Sequence, residues 1–295
     1  METLILKGKP VALKIKEQLS EKISKLKSKD IIPSLAAIIV GNNPASKLYV
    51  NSKAKTFSKL NCHSEIFELS SNINQNDLIE FIQQLNTNPK FHGILLQLPL
   101  PKHLDEKEIL ETINPEKDVD GFHPINQGYI MQGKPKFIPC TPLGCLKILD
   151  YYNIETKGKE IVVIGRSNIV GKPIASLLSQ NFSYGNATVT LCHTKTKDLL
   201  SHTKKADIII AAVGVPNLID KSMIKEGTHI IDVGINRIED PSTEKGYRVV
   251  GDVNFEDVLD KAGSITPVPG GVGVMTVTML LSNTVEAAFN QIKRK

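Results

Sequence analysis

The sequence predicts an α/β protein with two domains, each built around a parallel sheet. Short apolar runs alternate along the chain with segments whose apolar residues recur every three or four positions, which indicates strands alternating with helices. A loop-rich stretch marked by prolines, residues 114–142, interrupts this alternation and indicates a domain boundary. A chain of 295 residues is long enough to bury one core on each side of that boundary.

The N-terminal half has the pattern of a βαβαβ domain that follows an opening amphipathic helix. Strands that alternate with helices are joined by right-handed crossovers and form a parallel sheet. The expected helices are Lys9–Lys27, Pro44–Leu60 and Asn76–Leu85, and the expected strands are Leu35–Val40, Glu65–Leu69 and Gly93–Leu98.

The C-terminal half repeats the alternation and predicts a second parallel sheet. It begins with a helix, Leu143–Tyr152, and ends with an amphipathic helix, Met275–Ile292, that we expect to pack back onto the first domain. The predicted domains are therefore residues 1–140 together with 275–295, and residues 141–274. The expected strands are Ile161–Gly165, Thr188–Leu191, Asp207–Ala211 and His229–Val233, with short extended pieces near Val249 and Ile265.

The composition is that of a soluble globular protein and argues against several classes. The net charge of +5 suits anionic ligands, but no basic block with interleaved aromatic residues indicates nucleic-acid binding. We recognise neither a signal peptide nor an apolar stretch approaching the roughly 20 residues of a membrane span, so no membrane contact is expected. The four cysteines lack CxxC or metal-ligand spacing, which predicts reduced thiols and a cytoplasmic protein.

The helix predicted at Pro44–Leu60 carries a lysine inside its apolar stripe. Tyr49, Lys53 and Phe57 recur at spacings of four and therefore share one face. Lys53 could extend its amine past the apolar surface into water. It could equally be a partly desolvated amine beside the Tyr49 hydroxyl, suited to acid–base chemistry. The pattern leaves both interpretations open.

One polar residue, Gln97, lies near the carboxyl end of the apolar strand Gly93–Leu98, just before two prolines. A buried amide without partners costs about 1–3 kcal/mol, so Gln97 could be a structural residue whose hydrogen bonds are satisfied. Ligands of open α/β sheets bind beyond the carboxyl ends of the strands, however. The position therefore favours a site residue.

Asp118 and Asp120 stand in the segment Lys117-Asp-Val-Asp-Gly-Phe-His123, which begins like a calcium-binding loop. Phe122 occupies the position where that loop needs an oxygen ligand, so no metal is expected. A turn built from Asp and Gly is the plain explanation. An aspartate that accepts hydrogen bonds from a ligand's N–H groups is the alternative, and the pattern does not choose between them.

A turn that begins and ends with glycine, Gly165–Gly171, follows a short apolar run and precedes a helical pattern. This order is typical of the phosphate-binding start of a Rossmann-like domain, because amide N–H groups and the helix dipole attract an anion. Ser167 stands at the second glycine position of the usual motif. Arg166, Thr194 and nearby lysines suit a 2′-phosphate, whereas no acidic residue follows the next strand until Asp198. The pattern therefore favours NADP.

The last helix is preceded by a loop rich in glycine and proline, residues 266–274. Glycines let a ligand approach the backbone closely, so Gly270 and Gly271 are candidate substrate contacts. A plain connector could have the same composition.

Five segments together resemble the bifunctional methylenetetrahydrofolate dehydrogenase/cyclohydrolase family, called FolD in bacteria. The resemblance covers essentially the whole chain, and the segments occur in the family's order. They are Tyr49-Val50-x-x-Lys53, Gln97-Leu98-Pro99-Leu100-Pro101, Lys117-Asp118-Val119-Asp120-Gly121-Phe122, Gly165-Arg166-Ser167 and Pro267-Val268-Pro269-Gly270-Gly271-Val272-Gly273.

The resemblance implies that residues 1–140 with 275–295 bind folate and carry catalysis, and that residues 141–274 bind NADP. It implies that Lys53 is the catalytic lysine, that Gln97 is hydrogen-bonded to it, and that Tyr49 lies beside the folate. Asp120 would hold the pterin ring through its amino and N–H edge. The implied reactions are NADP-dependent oxidation of 5,10-methylenetetrahydrofolate to the methenyl form and hydrolysis to 10-formyltetrahydrofolate, in one cleft between the domains.

The resemblance further implies which residues contact NADP, namely Gly165, Arg166, Ser167, Thr194 and Ile235. It also implies a homodimer joined through the cofactor domain. This chain departs from the family at two positions. The family commonly has Ser where this chain has Thr194, which keeps the hydroxyl, and Pro where it has Val274, which could loosen the glycine-rich loop.

Three alternatives remain at this point. A monofunctional member of the same family would carry only one of the two activities. A shikimate-dehydrogenase-like oxidoreductase would explain the glycine turn but not the set formed by Tyr49, Lys53, Gln97 and Asp120. A non-catalytic NADP-binding regulatory protein would tolerate the loss of Lys53 and Gln97, and both are present.

Overall fold

The computed structural model describes residues 2–244 and 246–292, which form two compact units. Unit 1 contains the chain as far as Leu13, Ile130–Lys134 and Thr141–Thr276. Unit 2 contains Lys14–Tyr129, Pro135–Cys140 and the chain from Val277 onward. Residues 1 and 293–295, at the ends of the predicted first domain, lie outside the described residues, as does residue 245.

Strands and helices alternate over most of the described chain. The strands are β1 (Leu4–Ile5), β2 (Ser34–Val40), β3 (His63–Leu69), β4 (Gly93–Leu96), β5 (Glu160–Ile164), β6 (Thr188–Cys192), β7 (Ile208–Ala211), β8 (His229–Asp232), β9 (Asn236–Glu239), β10 (Tyr247–Val250) and β11 (Ser264–Ile265). The helices are α1 (Gly8–Lys27), α2 (Pro44–Lys59), α3 (Gln75–Thr87), α4 (Glu106–Thr112), α5 (Pro124–Met131), α6 (Cys140–Tyr151), α7 (Gly171–Ser179), α8 (Leu199–Thr203), α9 (Phe255–Val258) and α10 (Val272–Ile292).

Unit 2 contains a three-stranded parallel sheet in the order β3-β2-β4, which confirms the predicted βαβαβ arrangement. Every residue of β2 and β4 is buried, as expected for continuous apolar runs in the interior of a parallel sheet. The sheet is extended beyond β4 by a single parallel bridge between Ile94 and Asp118. Asp120, two residues further along the chain, therefore lies level with the end of β4.

Unit 1 contains a six-stranded parallel sheet in the order β1-β11-β8-β7-β5-β6, the predicted Rossmann-like arrangement. The chain adds β6 on one side of β5 and β7 on the other. The space beyond the carboxyl ends of β5 and β7 is therefore the topological switch point, where such sheets bind ligands.

The N-terminal strand β1 was not among the predicted strands. It is only two residues long and pairs in parallel with β11. Because of this pairing, residues as far as Leu13 group with Thr141–Thr276, whereas the sequence placed residues 1–140 in one domain. The predicted boundary near residue 140 stays a prediction.

The final helix, α10, packs back as predicted. Nδ2 of Asn283 donates hydrogen bonds to the carbonyl oxygens of Val119 (2.8 Å) and Ile138 (3.0 Å), and Nε2 of Gln291 donates to that of His92 (2.9 Å). The expectation that no apolar stretch approaches the length of a membrane span was wrong for this helix. By length and composition Val272–Ile292 would suffice, although 61% of its apolar stretch is buried inside the protein.

Two short helices were not predicted: α5 lies in the stretch 114–142 that the sequence predicts to be rich in loops, and α4 lies in a segment for which no element was predicted. α4 has seven residues, and its N-cap Asp105 accepts hydrogen bonds from the amides of Lys107 and Glu108. α5 has eight residues and begins at Pro124. Helices of this length show too few turns of apolar periodicity to be recognised. β4 ends at Leu96, short of the predicted Leu98, because Pro99 and Pro101 beyond it have no N–H to donate to a neighbouring strand.

Candidate active site and cofactor-binding loops

Helix α2 places Lys53 on its buried face. Pro44 occupies the first helical position, and Oδ1 of Asn43 accepts a hydrogen bond from the Ser46 amide (3.1 Å) that caps the helix. One turn after Lys53 on the same face, Phe57 is 0% exposed. Lys53 is 7% exposed and Tyr49, one turn earlier, is 45% exposed. The amine of Lys53 is therefore held inside the protein and does not extend into water.

The amine of Lys53 meets the side chain of Gln97. Nζ of Lys53 donates a hydrogen bond to Oε1 of Gln97 (3.0 Å), and Nε2 of Gln97 donates to the carbonyl oxygen of Leu98 (2.7 Å). The Gln97 amide N–H donates to the carbonyl oxygen of Ile38 at the end of the central strand (2.9 Å). Both ends of the Gln97 side chain are thus engaged, and its oxygen is directed at the lysine.

The two aspartates of the Asp-x-Asp-Gly segment have different environments. Asp118 is 2% exposed, and its carboxylate accepts hydrogen bonds from the amides of Phe122 (3.1 Å) and His123 (2.9 Å) and from Nδ2 of Asn126 (2.7 Å). Asp118 therefore builds the turn. Asp120 is half-buried and lies beside Lys53, so it is the aspartate available to a ligand.

Removal from water raises the pKa of the Asp120 carboxyl above its ordinary value of 3.8, and the neighbouring charge of Lys53 opposes that rise. Asp118 adds to it by charge repulsion, and a hydrogen bond from the Cys140 thiol to Oδ1 (3.4 Å) lowers it. Lys53, Gln97 and Asp120 thus form one polar cluster at the carboxyl end of the unit 2 sheet.

Two buried residues of unit 2, Lys117 and Cys140, have polar contacts that the sequence did not single out. Nζ of the buried Lys117 donates to the carbonyl oxygens of Leu85 (3.0 Å) and Asn88 (2.8 Å), which closes the end of α3. Burial lowers the pKa of Lys117 to about 8. Burial likewise raises the pKa of Cys140 well above its ordinary value. The spacing of residues in the sequence does not reveal these contacts. The carbonyl groups that Lys117 binds, and the Asp120 carboxylate that the Cys140 thiol binds, lie far away along the chain.

In unit 1 the turn after β5 has the shape that the sequence predicts. Gly165 has a φ of +115°, and a Cβ there would overlap the carbonyl oxygen of Ala212 in the loop after β7. Ser167 replaces the usual glycine usefully, since its Oγ accepts hydrogen bonds from the amides of Val170 (3.1 Å) and Gly171 (3.3 Å). Helix α7 then begins at Gly171.

The other predicted NADP-contacting residues follow neighbouring strands of the same sheet. Thr194 comes just after β6 and Ile235 just after β8, and both are exposed, as is Arg166. Asp198, the nearest acidic residue after β6, is engaged as the N-cap of α8, where its Oδ1 accepts from the Ser201 amide (3.0 Å). A guanidinium and a hydroxyl, with this carboxylate used as a helix cap, fit the 2′-phosphate of NADP rather than the ribose diol of NAD.

The glycine-rich loop before α10 is anchored from the start of α1. The amide of Gly8 donates to the carbonyl oxygen of Gly270 (2.8 Å), and Gly270 has a φ of +111°. Gly270 and Gly271 belong to unit 1, together with the NADP-contacting candidates, whereas Tyr49, Lys53, Gln97 and Asp120 belong to unit 2. Val274, the departure from the family's proline, is 36% exposed.

The chain is similar over most of its length to known proteins. Two family models match it: the catalytic domain of tetrahydrofolate dehydrogenase/cyclohydrolase over residues 6–120, and the NAD(P)-binding domain of the same family over residues 139–292. The bifunctional protein FolD of Nautilia profundicola is 51% identical over 289 residues, which cover 98% of this chain and 98% of that protein.

Solved structures show the same similarity. The bifunctional enzyme FolD from Campylobacter jejuni is 52% identical with a TM-score of 0.92, and the match covers 98% of this chain and 99% of that one. The methylenetetrahydrofolate dehydrogenase-cyclohydrolase of Trypanosoma brucei, solved with NADP and an inhibitor, is 37% identical with a TM-score of 0.93 over 99% of both chains.

Proposed function

The chain belongs to the tetrahydrofolate dehydrogenase/cyclohydrolase family, and on that premise we propose that it catalyses two consecutive folate reactions. The first oxidises 5,10-methylenetetrahydrofolate to 5,10-methenyltetrahydrofolate with NADP. The second hydrolyses the methenyl form to 10-formyltetrahydrofolate. The observation that carries the proposal is the cluster in which Nζ of Lys53, buried on α2, lies 3.0 Å from Oε1 of Gln97 and beside Asp120.

The hydrolysis requires a group that moves protons next to the one-carbon bridge. Water adds its oxygen to the cationic methenyl carbon, the bond from that carbon to N5 breaks, and the formyl group stays on N10. The two protons of the water leave the oxygen; one ends on N5 and the other is released. General acid–base catalysis of such transfers contributes about 10²- to 10⁴-fold.

Lys53 is the group that we assign to this task. The hydrogen bond to Gln97 uses one position on Nζ and fixes the direction of the others, so the nitrogen can orient a water and exchange a proton with it. Burial on α2 excludes bulk water from competing for the same nitrogen. Gln97 is thus a positioning residue for Lys53, and its own orientation is fixed by Leu98.

Asp120 suits recognition of the pterin ring. A carboxylate accepts two parallel hydrogen bonds, and the pterin presents an amino group next to a ring N–H. Tyr49 is 45% exposed on the same face of α2 as Lys53, where its ring can cover a flat ligand. The two hydrogen bonds to Asp120 and the contact with the Tyr49 ring would hold the one-carbon bridge at Lys53.

NADP supplies the hydride acceptor for the first reaction when it is bound. Gly165 and Ser167 shape the turn that would hold its pyrophosphate at the start of α7, and Arg166 and Thr194 would bind the 2′-phosphate. Ile235 offers an exposed apolar surface after β8. Gly270 and Gly271, just before α10, are our candidates for further substrate contacts.

One assay separates the main proposal from its alternatives. The protein is incubated with 5,10-methylenetetrahydrofolate and NADP while the absorbances of NADPH and of the methenyl compound are followed together. We expect NADPH to accumulate with little methenyl compound. A monofunctional dehydrogenase would accumulate both in equal amounts, and production of neither would contradict the proposal.

We further propose that the protein is a homodimer joined through unit 1. The two-stranded antiparallel sheet β9–β10 is separate from the six-stranded sheet, and the side chains of β9 alternate in exposure, so an edge of this sheet can pair with a second copy. Sedimentation velocity should give about twice the chain mass of 32.4 kDa. A species of the chain mass alone at micromolar concentration would contradict this proposal.

A cytoplasmic location is the last part of the proposal. All four cysteines are free and buried, which suits a reducing compartment. We expect thiol titration of unfolded protein from rapidly quenched cells to find every cysteine reduced, and oxidised pairs would contradict the location.

A further inference from the structure

Two aspartates in unit 1, Asp232 and Asp252, have no role in the function proposed above. Asp232 ends β8 and is 3% exposed, and Asp252 follows β10 and is 0% exposed. A carboxylate that is removed from water is costly unless hydrogen bonds replace its hydration. The groups that these carboxylates bind therefore indicate what they do.

Asp252 binds the loops that follow two neighbouring strands. Its Oδ2 accepts hydrogen bonds from the amides of Val213 (2.7 Å) and Gly214 (3.0 Å), in the loop after β7. Its Oδ1 accepts one from Nδ2 of Asn236 (2.9 Å), where the loop after β8 enters β9. One buried carboxylate therefore joins the loop after β7 to the loop after β8.

Asp232 holds Asp252 in its place. Oδ1 of Asp232 accepts hydrogen bonds from the amides of Gly234 (2.9 Å) and Asp252 itself (3.0 Å), and Oδ2 accepts from the Val253 amide (2.9 Å). The backbone of Asp232 is bound in turn to the Thr266 hydroxyl, which accepts from its amide at 2.7 Å. The pair thus forms a continuous network beneath the two loops.

The joined loops border the proposed NADP site. The loop after β7 contains Ala212, whose carbonyl oxygen packs against Gly165 of the phosphate-binding turn. Ile235 lies between Gly234, whose amide binds Asp232, and Asn236, whose side chain binds Asp252. Because β5 and β7 flank the switch point of the sheet, these loops are placed to shape whatever binds there.

We propose that Asp252 is a positioning residue of the NADP site, which fixes the loop after β7 and the loop that carries Ile235, with Asp232 as its support. The inference rests on the proposed function, since it takes NADP as the ligand. A carboxylate suits the position because its two oxygens accept from three donors on two loops, whereas an alcohol offers one oxygen.

The surrounding sequence makes room for the two carboxylates. A Cβ at Gly234 would overlap Oδ1 of Asp252, and a Cβ at Gly251 would overlap Oδ2 of Asp232. Asp252 is therefore packed against Gly234, which follows Asp232 in the chain, and Asp232 is packed against Gly251, which precedes Asp252. The network cannot shift without moving one of the loops.

The test compares NADP affinity with an activity that does not use the nucleotide. The dissociation constant of NADP is measured by calorimetry, and hydrolysis of methenyltetrahydrofolate is measured without nucleotide, for wild type, Asp252→Ala, Asp252→Asn and the exposed control Asp150→Asn. We expect Asp252→Ala to weaken NADP binding about tenfold, a loss that corresponds to displaced loops rather than to a lost ligand contact. Hydrolysis and the Asp150→Asn control should stay at the wild-type level.

Asp252→Asn should recover most of the affinity. Oδ1 of the asparagine can still accept from the amides of Val213 and Gly214. Its Nδ2 can donate to Oδ1 of Asn236 once the side-chain amide of Asn236 rotates by 180°. Equal NADP affinity in folded Asp252→Ala and wild type would overturn the inference. So would an Asp252→Asn variant as weak as Asp252→Ala.

A milder variant decides the matter if Asp252→Ala does not fold. Asn236→Ala removes one donor to Asp252 and is half-buried, so we expect it to fold and to weaken NADP binding about threefold with unchanged hydrolysis. Unchanged affinity, or hydrolysis that falls in parallel with affinity, would overturn the inference. Failure of the wild type itself to bind NADP would contradict the proposed function instead.

Discussion

The two units each carry a polar cluster at the carboxyl edge of a parallel sheet, but the clusters are built differently. In unit 2, Lys53, Gln97 and Asp120 interact side chain to side chain, and Gln97 and Asp120 keep part of their surface exposed. In unit 1, Asp232 and Asp252 are buried and bind main-chain amides. The first arrangement leaves functional groups available for chemistry, whereas the second shapes loops for binding.

The largest effect should come from removing the amine of the unit 2 cluster. Lys53→Met keeps an unbranched apolar stem and removes the terminal amine, so the fold should persist while hydrolysis of methenyltetrahydrofolate falls about 10²- to 10⁴-fold. Lys55→Met, an exposed lysine on the same helix, is the matched control and should keep wild-type turnover. Unchanged hydrolysis in Lys53→Met would remove this residue from the mechanism.

The next effect concerns the choice of nucleotide in unit 1. Arg166→Ala should lower the preference for NADP over NAD about 10- to 100-fold, because a guanidinium that binds a phosphate is lost while the ribose contacts stay. Steady-state kinetics with both nucleotides measure the ratio. Lys172→Ala, an exposed residue on α7 whose amine binds Asn168, serves as the control. A wild-type preference for NAD would show that Arg166 does not meet a phosphate.

A smaller effect follows from the raised pKa of Asp120. The pterin edge needs the ionised carboxylate, and a raised pKa means that the proton binds at higher pH than on an ordinary aspartate. Affinity for the folate should therefore decline on the acid side at a pH above the usual range of aspartate. In Asp120→Asn, KM for the folate should be higher throughout, and its ratio to the wild-type KM should shrink as the pH falls. A constant ratio would contradict the assignment.

The smallest effect is on stability and comes from Asp232. Burial and the neighbouring Asp252 raise the pKa of Asp232 to about 7, although backbone hydrogen bonds oppose the rise. The folded state therefore binds the proton of the Asp232 carboxyl more tightly than the unfolded state does. The stabilisation that this proton gives to the fold is complete at low pH and is lost as the pH rises through 7. The loss has a slope of at most about 1.4 kcal/mol per pH unit.

The variant Asp232→Asn has no titrating group at this position, so its stability lacks the pH dependence that the Asp232 carboxyl gives to the wild type. Urea unfolding between about pH 5 and pH 8 should show the wild type losing stability relative to Asp232→Asn as the pH rises. Asp150→Asn should follow the wild type. A difference between wild type and Asp232→Asn that does not change with pH would contradict the raised pKa.

The same difference between the clusters explains what could be predicted from the sequence. Lys53 and Gln97 each interrupt an apolar pattern, Lys53 in a helical stripe and Gln97 at a strand end, so their positions stand out without a structure. Asp120 was less clear, because Asp118 beside it fits the same turn chemistry. The choice between them needed the hydrogen bonds of Asp118 to Phe122 and His123.

The unit 1 network could not be predicted in this way. Asp252 binds amides 38 and 39 residues away, and backbone amides leave no mark in a sequence. Short elements were missed for a related reason, since β1 has two residues and its place depends on pairing with β11. The apolar length of α10 was underestimated because Thr276, Asn283 and Glu286 interrupt it, although Asn283 finds main-chain partners inside unit 2.

The most direct test of the central claim is a single absorbance trace of Lys53→Met with 5,10-methylenetetrahydrofolate and NADP. The claim is that Lys53 serves the water reaction, while the oxidation depends on alignment of substrate and nucleotide. We predict that NADPH and the methenyl compound rise together in equal amounts, because the second reaction is halted. NADPH without methenyl compound, as in the wild type, would contradict the account.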